Sequence, residues 1–134
     1  MKAYLTRRYM FSASHRLHSD AMSEAENSET YGKCNNPHGH GHNYGLEVTV
    51  SGQVDPRTGM VCNLTDLDGF VAREILQRFD HQNLNILPEF ADHVPTTENL
   101  CIAVYDILHL GFRAAHLERV RFEETMMNSF EYGG

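Results

Sequence analysis

The chain of 134 residues has no apolar run approaching the roughly 20 residues of a membrane-spanning helix. No leader is visible at Met1-Lys2-Ala3-Tyr4, which opens straight into mixed residues, so a cytoplasmic protein is expected. Cysteine is scarce. Cys34, Cys62 and Cys101 are odd in number and far apart, which argues against a disulfide framework and suits reduced thiols. Basic charge is scarce too: 11 Lys and Arg stand against 18 Asp and Glu, a formal charge of −7 with histidine neutral. That balance argues against a nucleic-acid interface, yet leaves room for a small basic pocket around a phosphorylated metabolite. No internal repeat or low-complexity segment appears. The length predicts one domain over residues 1–134 with a modest core.

Histidine, by contrast, is abundant, with nine residues. His18, His93, His109 and His116 read as ordinary. The stretch from Gly32 to Tyr44 does not: it holds Cys34, then His38, His40 and His42 at alternate positions. It runs into Leu46, Val48 and Val50 alternating with Glu47 and Thr49, the pattern of a half-buried strand. Residues two apart on a strand share a face, so His40 and His42 point the same way, in phase with Tyr44. Two imidazoles so placed are half of a metal site, and a catalytic zinc takes three protein ligands plus an open position.

The third ligand is expected from the first strand. Residues 2–15 alternate, with Leu5, Tyr9, Phe11 and Ala13 on one phase and Arg7 as a charged exception. His15 continues that phase at the strand end. Residues 16–39 form a polar excursion, with capping-box spacing at Ser23 and Glu26 predicting a short helix over roughly 24–30. After the turn Asp55-Pro56-Arg57-Thr58-Gly59, Met60 to Cys62 are expected to stay extended briefly. A helix then starts near Asn63 or Thr65, with Leu67, Phe70, Val71, Ile75 and Phe79 at core spacing. Residues 80–95 read as a loop. Thr96, Thr97 and Glu98 open a second helix with Leu100, Val104, Ile107 and Leu108 buried, ending near Gly111. Val120, Phe122 and Glu124 share one face of a third strand, and a fourth covers Ser129 to Tyr132. The expectation is an α+β fold of order ββααββ: a four-stranded antiparallel sheet with two helices on one face.

The polar residues placed inward or in the loops are His15, Cys34, His40, His42, Asp80, His81 and Glu124. A three-histidine zinc site can polarise a substrate oxygen. A cysteine beside it is a usable base or nucleophile. Asp80 with His81 suits proton relay near neutral pH. Glu124, if buried, needs donors, and a ligand's N–H groups would serve. Two other metal readings compete. His40-x-His42 followed by Glu47 resembles a cupin motif, but Glu47 faces the opposite way. Cys34 as a fourth ligand would make a closed structural zinc site.

The motif set, in its order, is similar to one family. Phe11 to Leu17, Gly32 to Tyr44, Gly52 to Met60, Asn63 to Leu67, Phe79 to Asn85, Pro95 to Asn99 and Glu124-Thr125 resemble the 6-pyruvoyl-tetrahydropterin synthases. The family also contains the 6-carboxytetrahydropterin synthases of the queuosine pathway. The resemblance implies a tunnelling fold (T-fold), built as a homohexamer of two stacked trimers with active sites between subunits. It implies Zn2+ held by His15, His40 and His42, and Cys34 as the proton-abstracting base. Asp80 and His81 become the relay, Glu124 the pterin anchor with a part in proton relay, and Thr96, Thr97 and Glu98 the pocket lining, although Thr96 also suits a helix cap. The implied substrate is 7,8-dihydroneopterin triphosphate, and tetrahydrobiopterin-type synthesis the setting. Two products remain open. The pyruvoyl branch spaces its cysteine as Cys-x5-His-Gly-His and the carboxy branch as Cys-x3-His-Gly-His. Cys34 to His40 fits the first and Cys34 to His38 the second, so either His42 or His38 pairs with His40. Cys34-Asn35-Asn36-Pro37 and Ser12-Ala13-Ser14-His15 favour the first. Met126-Met127 after Thr125 depart from the polar residues more usual there. A reading from another class is a non-catalytic metal-binding assembly protein.

Overall fold

In the computed structural model, which describes residues 1–134, the long alternating runs are strands. Strand β1 (Lys2–His15) pairs antiparallel with β2 (His40–Gln53) over their whole length, from Lys2 opposite Gln53 to His15 opposite His40. Between them lies α1 (Glu24–Tyr31), started by the expected capping box of Ser23 and Glu26. Such a cap is worth about 1 kcal/mol, and this helix buries little besides Asn27. Helix α2 (Leu64–Val71), capped by Asn63, passes through a π-helical turn, Ala72–Leu76, into a last turn, Gln77–Phe79. Strand β3 (Gln82–Asn83), helix α3 (Thr97–Gly111), and the hairpin of β4 (His116–Thr125) and β5 (Asn128–Tyr132) follow.

The expected fold needs correction in three places. The sheet has five strands in the order β3-β1-β2-β4-β5, and β3 runs parallel to β1, so the sheet is mixed. Three helices are present, and the order is βαβαβαββ. Met60 belongs to no strand, and Val61 and Cys62 bend before α2 instead of continuing β2, although Cys62 is buried. Strand β3 escapes the sequence pattern because two polar residues have no period to detect, whereas α1 is expected from its capping box and stands outside the layered order because it carries no apolar stripe.

Helices α2 and α3 cover one face of the sheet. Leu46, Val48, Val50, Val120 and Phe122 pack there against Leu67, Val71, Ile75, Leu100, Val104 and Leu108. The helices come close where Gly111 meets Phe70: a Cβ on Gly111 would lie 2.7 Å from that ring. The opposite face carries no helix and is tied by cross-strand polar pairs, Thr6 to Thr49 at 2.8 Å and Arg121 to Glu47. Glu47 therefore pairs with Arg121 on the face away from His40 and His42, as the strand phase required. The helix face leads, at the His15–His40 end of the ladder, into the histidine cluster.

Candidate metal centre and active site

The last rung of the β1–β2 ladder sets His15 opposite His40, and the pleat puts His42 on the same face. Three imidazoles converge. Their ring centroids lie 4.6 to 5.1 Å apart, and one nitrogen from each falls within 4.8 Å of the others. His15 is 1% exposed. Its Nδ1–H donates to the carbonyl of Pro95 at 2.8 Å, which fixes the tautomer and leaves Nε2 as a bare lone pair 3.0 Å from Nε2 of His40. Burial pushes the His15 and His42 imidazoles below their ordinary range, so both are neutral near pH 7. Nε2 of His42 is buried without any hydrogen-bond partner. Leaving such an atom unpaired costs about 1–3 kcal/mol. Three converging imidazole nitrogens, one with its tautomer fixed by a backbone carbonyl and one orphaned, fit a divalent metal of the nitrogen-ligated kind.

Tight backbone approach builds the cluster. Gly39 has φ +73°, and a Cβ there would stand 3.0 Å from the His15 carbonyl oxygen. Only glycine lets the chain enter β2 close enough to place His40 against His15. His38 is exposed and lies outside the cluster, so the structure groups His40 with His42. Cys34 is not among the converging atoms either, and the arrangement is an open set of three, not a closed set of four.

Glu124 sits beside the cluster at the end of β4, its Oε2 4.0 Å from Nε2 of His42. The Thr97 hydroxyl donates to Oε2, and Nδ2 of Asn128 donates to Oε1 at 3.3 Å. Thr97 is buried, whereas Thr96 accepts from the Asn99 amide as the helix cap and Glu98 points to solvent with no partner. Cys34 is half-buried in a single turn of 3-10 helix, Gly32–Asn35. Burial, aided by the negative charge of Glu124, raises its thiol above the ordinary range. Asp80 and His81 form a pair of their own, Nδ1 of His81 lying 2.9 Å from Oδ1 of Asp80. That oxygen also accepts the Ser12 amide at 3.0 Å. His81 has φ +60°, unusual for a residue with a side chain, and its side chain is 82% exposed. Neither residue bonds to the histidine cluster or to Cys34. His81, but not Asp80, borders a polar cavity of about 360 Å³ that is also lined by Ser12, Ser14, His42 and Asn43.

Two contributors carry no sequence signal that names them. The Pro95 carbonyl is a backbone atom, invisible to motif reading. Tyr44, fully buried, places its hydroxyl 3.5 Å from Nδ1 of His15. Its strand phase marked the residue as inward, but nothing marked it as a neighbour of the imidazoles.

Comparison with known proteins joins these observations. The family model described as 6-pyruvoyl tetrahydropterin synthase matches residues 4–134. The chain belongs to the 6-pyruvoyl tetrahydropterin synthase family. It is 51% identical over 132 residues to the 6-pyruvoyl tetrahydrobiopterin synthase of Poecilia reticulata, covering 98% of this chain and 90% of the relative. It is 48% identical over 134 residues to the Homo sapiens protein of that name, covering 99% and 92%. A solved structure of Caenorhabditis elegans 6-pyruvoyl tetrahydropterin synthase superposes with a TM-score of 0.95 at 42% identity, over 100% of this chain and 96% of that one. A protein of the other branch, a putative 6-carboxy-5,6,7,8-tetrahydropterin synthase of Archaeoglobus fulgidus, is 35% identical over 107 residues, covering 80% and 84%. The synthase family therefore supplies the T-fold, and it is an enzyme family whose chemistry concerns pterins.

Proposed function

We propose that the protein is a zinc-dependent lyase. Its substrate is 7,8-dihydroneopterin triphosphate, and its products are 6-pyruvoyl-tetrahydropterin and triphosphate. The observation that carries the proposal is the convergence of His15, His40 and His42, with the orphaned Nε2 of His42 beside an anchored carboxylate. A zinc ion held by these three nitrogens supplies Lewis acidity toward the hydroxyls of the substrate side chain. The protein's own groups do the rest. Glu124, held by Thr97 and Asn128, accepts the N–H donors of the pterin ring and orients it. Cys34 takes the proton from a side-chain carbon of the substrate that bears a hydroxyl, a hydroxyl that a zinc ion on the three histidines would polarise. Asp80 and His81 relay protons to and from the site. Loss of triphosphate and an internal redox rearrangement then give the diketone.

Cys34 has a thiol raised by burial, so it needs a proton acceptor within reach before it can act as a base. Within one chain, Asp80 and His81 are not connected to it. We therefore assign the relay to a second copy of the chain, in a homohexamer of two trimers whose sites lie between subunits. The open outer face of the sheet and its two edge strands favour such assembly. A cytoplasmic setting suits the three free cysteines. No helix is long and apolar enough to cross a membrane.

The deciding experiment is product analysis. The zinc-loaded protein is incubated with 7,8-dihydroneopterin triphosphate, the pterin is identified by mass spectrometry, and acetaldehyde is assayed alongside. The expected result is the pyruvoyl product without acetaldehyde. A carboxy product with acetaldehyde would move the chain to the branch of the Archaeoglobus relative. Triphosphate release that survives Cys34→Ala would overturn the role of Cys34, and no release at all would favour a non-catalytic metal-binding protein.

A further inference from the structure

Cys34 lies on a short turn with little to hold it. Outside their own turn, Cys34 and Asn35 make hydrogen bonds to only one part of the chain, the three residues that follow His15. The Leu17 amide donates to the Cys34 carbonyl at 2.8 Å. Nδ2 of Asn35 returns the bond to the Leu17 carbonyl at 2.7 Å and reaches Nδ1 of His18 at 3.1 Å. Nε of Arg16 donates to the Asn35 carbonyl at 3.1 Å. On its other side, Arg16 is fixed by the Asn85 side chain, which accepts the Arg16 amide at 2.7 Å and donates to the Arg16 carbonyl at 2.8 Å. An amide side chain thus extends the β1 ladder one residue beyond His15, and a second one clasps the cysteine turn to the residue after that.

We infer that Asn35 is a positioning residue for Cys34, locking the thiol in register with the histidine cluster through Leu17 and His18. The inference rests on the proposed role of Cys34 in proton abstraction. The chemistry of the clasp is directional. Both acceptors facing Nδ2, a carbonyl oxygen and an imidazole nitrogen, require a donor. A carboxylate of the same shape would set oxygen against oxygen. Volume is therefore unimportant and polarity decides, which separates a positioning role from mere filling of space.

The test uses the zinc-loaded protein carrying Asn35→Asp, with Asn35→Ala as a second variant should the first not fold. Three quantities are read: turnover and KM with 7,8-dihydroneopterin triphosphate, zinc per chain, and the rate at which iodoacetamide alkylates Cys34, measured on its peptide against buried Cys62. In Asn35→Asp, turnover should fall by roughly 10- to 100-fold, the scale set by a displaced reacting group, while KM stays within about twofold. Zinc per chain stays unchanged, and Cys34 alkylation changes severalfold. Wild-type alkylation together with wild-type turnover would overturn the assignment. So would loss of zinc in step with turnover, because the clasp would then serve His15 and not the thiol. Failure of the underlying reading shows separately, as turnover that survives Cys34→Ala.

Discussion

Strand β1 turns two polar residues toward its helix-covered face, Arg7 and His15, and the fold treats them in opposite ways. Arg7 is satisfied. Its guanidinium makes a two-point contact with Asp68 of α2 at 3.0 and 3.1 Å, and the Tyr9 hydroxyl joins the same carboxylate at 2.7 Å. The group remains partly open to water. His15 is buried, and only one of its nitrogens has a donor–acceptor partner in the protein backbone, the Pro95 carbonyl. The other faces a second imidazole. A polar residue on an apolar phase is thus not a site by itself. It reads as a clamp when every atom is paired, and as a site when a buried atom is left available. Substitutions at the two ends of β1 should separate along that line.

The largest effect is expected at the histidine end. His40→Ala should deplete bound zinc and abolish activity, a loss beyond both the roughly 10–100-fold that loss of an outer partner of a metal ligand costs and the roughly 10²–10⁴-fold of a lost general acid or base. His38→Ala, two residues away and exposed, should leave zinc content near that of the wild type. Elemental analysis of the two purified variants checks this, and the reverse ranking would shift the ligand set by two residues.

The next effect concerns Asp80 and His81, which one chain leaves apart from the cluster. His81→Ala and Cys34→Ala should each lower turnover by roughly 10²–10⁴-fold, the range for a lost general acid or base, with zinc unchanged. Mixed by co-refolding, the two inactive variants should regain part of the activity if a site draws on two copies. No recovery in demonstrably mixed assemblies would place the relay and the thiol in one chain.

Much of this was legible before the structure. The phases of β1 and β2 placed His15, His40 and His42 on one face, and the phase of β4 placed Glu124 with the core. Asn63 and Thr96 were readable as caps. What stayed hidden was held by groups without a side-chain signature. The Pro95 carbonyl sets the His15 tautomer. The two-residue β3 brings Asp80 and His81 to the edge of β1. The Thr97 hydroxyl, read as pocket lining, is spent on Glu124. Periodicity reports which face a residue takes, and it cannot report which backbone atom waits there.

Thr97 therefore offers a graded probe. Thr97→Val keeps the shape and removes the donor to Glu124. A hydrogen bond to a charged group is worth about 1.5–3 kcal/mol, so KM should rise roughly 10- to 100-fold with turnover less affected. A fall in turnover at constant KM would instead place Thr97 at the reacting centre.

The smallest effect belongs to the satisfied end of β1, and it should depend on pH rather than on metal. The hydrogen bonds from Arg7, then that from Tyr9, hold the Asp68 carboxyl below the usual carboxylate range. A carboxyl depressed in the folded state binds its proton more readily when unfolded. Its contribution is full above the unfolded value of about 3.9, and it is lost as pH falls through the lower folded value. Because the pair is open to solvent, screening keeps that contribution small. Asp68→Asn should accordingly melt slightly below wild type at pH 7, and the gap should close under acid, as pH falls through the lowered folded value of Asp68 and both side chains become neutral. Zinc content and KM should not move at either pH. Thermal unfolding of the two proteins at pH 7 and at acid pH decides it. A gap that widens with acid would mean that Asp68 is not the depressed group, and a loss of zinc would mean that the two ends of β1 are coupled after all.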